Sequence, residues 1–403
     1  MGDILFLGHR VPYPPDRGDK IRGFHILKFL AARKRVHLIA FADDARDMKP
    51  ADGLAKVTGN PTIIWRAKTR ATAAVQALLS RKPVSLTAFD DASLRAAVER
   101  TLASHAIDTI YVFSSQMAQY LPADPRQQVI MDFVDMDSAK FADYAKQSHG
   151  LMAWMMGREA RLLQRYESAV AGAADASLFV SGAEAHLFRD TTGAARVHAV
   201  ENGIDTDFFD PAAAFEPIAT TAPLIVFTGQ MDYRPNIEAV TWFAEAILPQ
   251  VQQRHPNARF AIVGRAPSDA VQALTKRPGV IVTGEVADVR GWLAAASVVV
   301  APLKLARGVQ NKVLEAMAMA RPVVASIPAA EGIDHSDTVR VGGTGDEIAA
   351  QITAILDDQD GAAQMGRDAR AQVQARYSWE ARLAPLDAIL GLAVVAPSRC
   401  VVA

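Results

Sequence analysis

The sequence predicts an α/β protein made of two open, doubly wound parallel-sheet domains. Three observations carry this. Short, continuous apolar runs alternate with longer stretches whose apolar residues recur at helical spacing, the pattern of strands covered by helices on both faces. The alternation lapses in a turn-rich stretch and restarts near residue 222. The chain has 403 residues, half of them hydrophobic, which is long for one core and sufficient for two.

In the first domain, residues 4–7 read as the opening strand. Residues 24–32 follow at helical spacing, and 36–41 are a second strand. Residues 107–113 and 129–134 read as later strands, and 151–171 as a long charged helix. Strands are expected again at 224–228, 259–263, 280–283, 297–301 and 322–326. The join falls at Asn202-Gly203-Ile204-Asp205, which leads into an Ala/Pro/Thr-rich stretch reaching Pro223. The expected domains are 1–205 and 206–377, with a last helix over about 378–397 opened by Ser378 as N-cap.

Charge and cysteine content narrow the function. Lys and Arg number 43 against 44 Asp and Glu, a formal net charge of -1, so no nucleic-acid partner is expected. The lone cysteine, Cys400, allows no disulfide within the chain and no cysteine zinc site, which fits a reducing compartment. Residues 1–7 lack a basic leader region and read as a strand, and no apolar run is long enough to span a bilayer. A cytoplasmic protein is expected. His149 and His186 show no metal-ligand spacing. A Gly-x-Ser-x-Gly elbow, a Walker A loop and a full Gly-x-Gly-x-x-Gly fingerprint are all missing.

In parallel sheets, ligands sit beyond the carboxyl ends of the strands, so the loops there are the candidates. After the strand at 297–301 comes a loop with Arg307, Gly308, Val309 and Gln310, then a helix from about Asn311. Val313, Leu314, Met317 and Ala318 form its apolar face, while Asn311, Lys312 and Glu315 share the other side. Unpaired N–H groups at the helix start suit a diphosphate. Lys312 is poorly placed for the helix dipole but well placed beside an anion, and Glu315 can accept from ribose hydroxyls. The same spacing also fits a surface helix with a solvated Lys–Glu pair.

Other strand-end loops are Gly229-Gln230-Met231-Asp232-Tyr233-Arg234, Gly264-Arg265-Ala266-Pro267 and Gly284-Glu285-Val286. Arg234 suits a diphosphate, and Gly229 lets backbone approach a ligand, while a plain strand-to-helix turn with a solvent-facing Arg234 fits equally. In the first domain, the loop from His9 to Gly23 carries Arg17, Gly18, Asp19, Lys20 and Arg22. It reads either as a phosphate-facing loop or as a solvated one. Asp132, Asp135 and Asp137 crowd the next strand end, for general-base work, hydroxyl binding, a metal, or N-capping by Asp135 or Asp137.

The run Asn311-Lys312-Val313-Leu314-Glu315-Ala316-Met317-Ala318, then Arg321-Pro322-Val323-Val324-Ala325, resembles the donor-site signature of the retaining glycosyltransferases of family four, group one. Asn202-Gly203-Ile204-Asp205 with Phe208 resembles the turn that opens that family's second domain. The resemblance covers nearly the whole chain. It implies a GT-B fold whose two domains face a cleft, with a C-terminal helix crossing back to the first.

By resemblance, Glu315 binds the donor ribose, backbone at Val286 reads the base, and Gly229 and Gly264 lie over a UDP- or GDP-sugar. Many relatives carry a second Glu eight positions before the first. Here that position is Arg307, suited to a phosphate or an acidic sugar, with Gln310 and Asn311 placed to take over the contact. Arg234, Lys312, Asp19 and Asp135 are the expected catalytic residues, Gly18 faces the donor, and no metal is expected. The expected acceptor is a glycan, free or carried on polyprenyl diphosphate. The aspartate block and the Gly-Val-Gln-Asn-Lys run resemble an exopolysaccharide- and exosortase-associated subgroup.

The segment 62–82, where Arg66, Lys68, Arg70, Arg81 and Lys82 flank Trp65 and Leu78-Leu79, reads either as a peripheral contact with the inner membrane face or as a solvated helix. A GT-B epimerase or hydrolase and a non-catalytic glycan- or nucleotide-binding partner are the alternatives.

Overall fold

The computed structural model describes residues 2–48, 52–306, 308–335 and 337–392. The chain divides into two compact units. Unit 1 is Met1–Asn202 with Arg382–Ala403, and unit 2 is Gly203–Ala381.

Unit 1 is built on seven parallel strands: β1 (Asp3–Gly8), β2 (Val36–Ala42), β3 (Thr62–Trp65), β4 (Ile107–Phe113), β5 (Gln128–Val134), β6 (Ala176–Phe179) and β7 (Val197–Ala199). Their order is β3-β2-β1-β4-β5-β6-β7. Unit 2 has six: β8 (Leu224–Thr228), β9 (Arg259–Val263), β10 (Val280–Gly284), β11 (Val298–Ala301), β12 (Val323–Ser326) and β13 (Arg340–Gly342), in the order β10-β9-β8-β11-β12-β13. β1, β2, β4, β5, β8, β9, β11 and β12 are apolar almost end to end because helices cover both faces. Ile4, Leu5, Leu7, Ile225, Val226 and Phe227 are fully buried.

Both sheets reverse direction at one point, between β1 and β4 in unit 1 and between β8 and β11 in unit 2. Neighbouring strands there send their chains to opposite sides, which opens a crevice at their carboxyl ends. The loops singled out in the sequence leave from these places.

The strands at 62–65, 176–179, 197–199 and 340–342 are additional to those expected from the sequence. They are three or four residues long, too short to show a period. At the end of the chain, Ser378 Oγ accepts from Ala381 N at 3.2 Å and starts the helix Trp379–Leu383. The following helix, Pro385–Ile389, belongs to unit 1. Asp387 pairs with Arg33, and Gln128 Nε2 donates to Ile389 O at 2.6 Å. The expected last helix is thus two short ones over its described part. Residues beyond 392, Cys400 among them, lie outside the described residues.

Candidate active site

The unit 2 crevice is a cavity of about 520 Å³. Its floor is made by the ends of β8 and β9. A Cβ on Gly264 would stand 1.7 Å from Gly229 O, so the two turns interlock through bare backbone. A Cβ on Gly229 would meet Asn236 Nδ2 at 2.8 Å and Lys312 Nζ at 3.3 Å. Thr228, the last residue of β8, has a buried hydroxyl with no partner among the described residues and lines the same cavity.

The wall is the helix Asn311–Ala318, which follows β11 and its loop. Val313, Leu314, Met317 and Ala318 are buried, as the helical spacing predicts. This fixes Lys312 and Glu315 toward the cavity. No side chain caps the helix start, since the Gln310 amide turns back to Gly308 O at 3.0 Å. Val313 N already donates to Gln310 O at 3.0 Å, which leaves the N–H groups of Asn311 and Lys312 without an acceptor among the described residues, for one of another kind.

Lys312 Nζ donates to Asn236 Oδ1 at 2.7 Å and lies 4.1 Å from the centroid of the Phe227 ring. Both partners are neutral. Burial therefore pushes the ammonium down to about 8, against the opposing charge of Glu315. Glu315 is pushed up to about 7 by burial, against the pull of Lys312. It has no hydrogen-bond partner among the described residues. A cation held by neutral groups and a carboxylate with no partner face one cavity, and each is costly to bury without a counterpart.

The structure brings Gly229, Gly264, Val286, Val309, Gln310, Asn311, Lys312 and Glu315 to this cavity. Gly308 lies just outside with φ of 67°, a left-handed turn that glycine takes freely. Arg307 lies outside the described residues. Arg234 is placed differently from expectation. It opens the helix Arg234–Trp242, and its exposed side chain pairs along the surface with Glu238 at 2.7 Å, one turn on. The guanidinium at the cavity is that of Arg265, which reaches Gln230 Oε1 at 3.1 Å. Asn236, Thr228, Arg265, Glu285 and Tyr233 also line the cavity, and the sequence reading did not single them out as site residues. Arg265 carried a usable signal, a cation directly after a strand-ending glycine.

The switch point of unit 1 is organised in another way. Arg10 lies between Asp19 and Asp43, with Nη2 2.7 Å from Asp43 Oδ2. Asp43 also meets Arg66 Nε at 2.5 Å. Burial would raise Asp19, but the His9 hydrogen bond and the charges of Arg10, His9 and Arg17 hold it well below the usual carboxylate range. His9 stacks on Phe113 with ring centroids 5.6 Å apart. Gly18 is exposed, and a Cβ there would touch nothing.

Two expectations for this loop are corrected. Lys20 and Arg22 are not phosphate-facing cations. Lys20 pairs with Asp47 at 2.7 Å, with both residues buried. Arg22, 1 % exposed, is bound by Asp132, by Val200 O at 2.7 Å and by Asn202 Oδ1 at 2.9 Å. Asp132 is 0 % exposed and also accepts from Tyr111 Oη at 2.9 Å, which makes it structural.

The N-capping expectation is corrected too. The helix Asp137–Gln147 begins under carboxylates from two other helices. Glu184 accepts from Met136 N at 2.9 Å, and Glu167 from Ser138 N at 3.1 Å. Asp135 is exposed. Asp137 is half-buried, accepts from Gln116 Nε2 at 3.3 Å, and is pushed up by burial against the pull of Lys140. Beside these groups, Ser114 and Val134 hold φ of 80° and 69°, strained for residues with a Cβ and most of all for a β-branched one. Among the described residues no cluster of three or more metal-ligating side chains occurs.

With this geometry described, known proteins give a consistent picture. Residues 222–358 match the family model for glycosyl transferases group 1, about a third of the chain, and this stretch holds all the cavity residues. That stretch of the second unit is thus similar to a glycosyltransferase group 1 domain. No curated protein sequence matches the chain.

Solved structures match over nearly the full length. A sucrose-phosphate synthase from Thermosynechococcus elongatus has 19% identity and a TM-score of 0.59, with 96% of this chain and 98% of that one covered. The HepE protein of Anabaena in complex with UDP has 17% identity and a TM-score of 0.59, covering 96% and 99%. WaaG, a glycosyltransferase involved in lipopolysaccharide biosynthesis, has 16% identity and a TM-score of 0.59, covering 96% and 100%. At these identities the likeness is one of fold, two parallel-sheet domains of the GT-B type.

Proposed function

We propose that this chain is a retaining glycosyltransferase that takes a sugar from a UDP- or GDP-sugar. The acceptor in this reading is a glycan, free or carried on polyprenyl diphosphate, in exopolysaccharide or cell-surface polysaccharide biosynthesis. The observation that carries the reading is the buried pair Lys312 and Glu315, which make no hydrogen bond to a charged group among the described residues, at a helix start that no side chain among them caps, beside two interlocked glycine turns. A nucleoside diphosphate supplies what each lacks. Its phosphates give Lys312 an anion, its ribose hydroxyls donate to Glu315, and the first-turn N–H groups meet phosphate oxygen. The UDP held by the Anabaena protein of the same fold supports that class of donor.

In the reaction so read, the bond from the sugar's anomeric carbon to the diphosphate oxygen breaks and that oxygen keeps the electron pair. The acceptor hydroxyl bonds to the same carbon on the same face, and its proton passes to the departing diphosphate. Lys312, Arg265 and the helix N–H groups stabilise the charge that develops there, the leading electrostatic contribution. The protein's own cations meet this charge, so the proposal needs no resident metal. Asp19, held ionised by His9 and Arg10, is a fixed anion in this scheme and does not shuttle protons.

The test is thermal shift with UDP, GDP and ADP, with and without their sugars, on the wild type and on Lys312→Ala and Glu315→Ala. One nucleotide is expected to raise Tm selectively, with the shift lost in both variants. Absence of any shift at millimolar ligand overturns the reading.

A further inference from the structure

Unit 1 exposes more apolar surface than its fold requires. The helix Arg70–Ser80 buries Ala73 and Ala77 and turns its larger apolar side chains outward. Leu79 is 83% exposed, Val75 60% and Leu78 57%. These three sit one turn apart on a single face. The first turns of the helix Gly150–Ala173 repeat the arrangement, with Leu151 73% exposed, Trp154 54% and Met152 52%.

The two strips are fastened together. Arg158, one turn beyond Trp154, donates to Ala77 O at 2.9 Å and Lys82 O at 3.3 Å. Glu159 is buried and accepts from Val84 N and Ser85 N at 2.8 Å each. The only acid in the first three turns of the second helix is consumed as a clamp, and the two apolar faces form one surface.

The charge within these two segments has one sign. No acidic residue occurs between Asp52 and Asp90, nor between Asp143 and Glu159. Arg81 and Lys82 are exposed at the end of the first helix, and Arg161 is exposed on the second. A soluble partner with an apolar face would not require this bias. An apolar centre with an amphipathic Trp, carried on two segments without acids and flanked by exposed cations, complements the headgroup layer of an anionic bilayer. Among the described residues no helix is long and apolar enough to cross a membrane, so the contact is one of lying on the surface.

We infer that this two-helix face of unit 1 docks on anionic lipid. The inference goes beyond the transferase reading and does not depend on it, because the face lies wholly in unit 1 and needs no nucleotide. It adds the Gly150–Ala173 strip, which the sequence reading left out, to the 62–82 segment.

The test is co-sedimentation of the full chain with vesicles of phosphatidylglycerol and phosphatidylcholine, and with phosphatidylcholine alone. Binding is expected to the mixed vesicles, to weaken with added salt, and to be slight on phosphatidylcholine alone. Leu79→Ser with Trp154→Ser is expected to lower partitioning about tenfold or more. Arg81→Glu with Lys82→Glu is expected to lower it by a similar factor while leaving the apolar face intact. Both double variants should keep the wild-type Tm and any nucleotide-induced shift, which separates loss of docking from loss of fold. Three results overturn the inference: no binding to mixed vesicles, binding that neither double variant weakens, or a wild-type dimer in light scattering that the Leu79/Trp154 variant turns into monomer.

Discussion

The two units share a strand order at their switch points but handle charge there in opposite ways. In unit 1 every cation of the first-strand loop has an anion within the fold. Arg10 is matched by Asp19 and Asp43, Lys20 by Asp47 and Arg22 by Asp132. In unit 2 the cation of the corresponding crevice rests on a neutral amide and an aromatic ring, and the carboxylate beside it has no hydrogen-bond partner among the described residues. Closed networks give rigidity. Open charges store an unfavourable energy that a ligand of the right pattern relieves. Unit 1 uses its charge to hold a shape, and unit 2 leaves its charge for something else to complete.

The largest expected effect breaks a closed network. Asp132→Ala leaves Arg22 buried without its anion and should cost about 3–5 kcal/mol. In a thermal melt this appears as a fall of roughly ten degrees or more. If Tm holds, the contrast between the units is wrong.

Next, Lys312→Ala should lower kcat by about 10²–10³-fold with little loss of Tm, measured as nucleotide release in the presence of acceptor. Gly264→Ala should weaken UDP or GDP binding at least about tenfold, since a 1.7 Å approach forces the two turns apart. Equilibrium binding across the substitution reads this directly.

The open charges also predict a pH window. Lys312 loses its proton as pH rises through about 8, and Glu315 gains one as pH falls through about 7. Nucleotide affinity should peak between those values and fall on both sides, which titration calorimetry at several pH values can follow. The nucleotide-free protein has the complementary dependence. Glu315 sits above its ordinary 4.5 when folded, so its ionisation costs stability as pH rises toward about 7. Glu315→Gln should therefore raise Tm of the free protein by a few degrees at pH 8, about 1 kcal/mol, while removing the nucleotide-induced shift. The smallest effect is expected at Arg234→Ala, whose exposed pair with Glu238 should leave Tm and nucleotide binding essentially at wild-type values in a thermal melt.

Much of this was legible in the sequence because periodicity and glycine placement are local. The long strands, the helix from Asn311 and the glycines 229 and 264 all announce themselves within a few residues. What escaped depends on partners far along the chain. Nothing near Arg22 says that Asp132 will neutralise it, 110 positions away. Arg234 is the exception, since Glu238 stands four positions on in a helical stretch, a surface pair that the sequence spacing could have disclosed. Asp135 and Asp137 differ by two positions, yet burial separates them, and the groups facing Asp137 include Gln116 and His9 from elsewhere in the chain. The outward-facing leucines of Arg70–Ser80 were readable, but their continuation on the Gly150–Ala173 helix needed the Arg158 bond to be seen.

The interlocked turns at Gly229 and Gly264 also bear on any attempt to redirect the proposed transferase to a new donor. Two loops whose backbones touch cannot be varied independently, and neither tolerates a side chain at the point of contact. A library that randomises the whole crevice would lose most of its members to misfolded loops before specificity was ever sampled. The productive diversity lies where the lining is side chain rather than main chain, at Tyr233, Val286 and Val289.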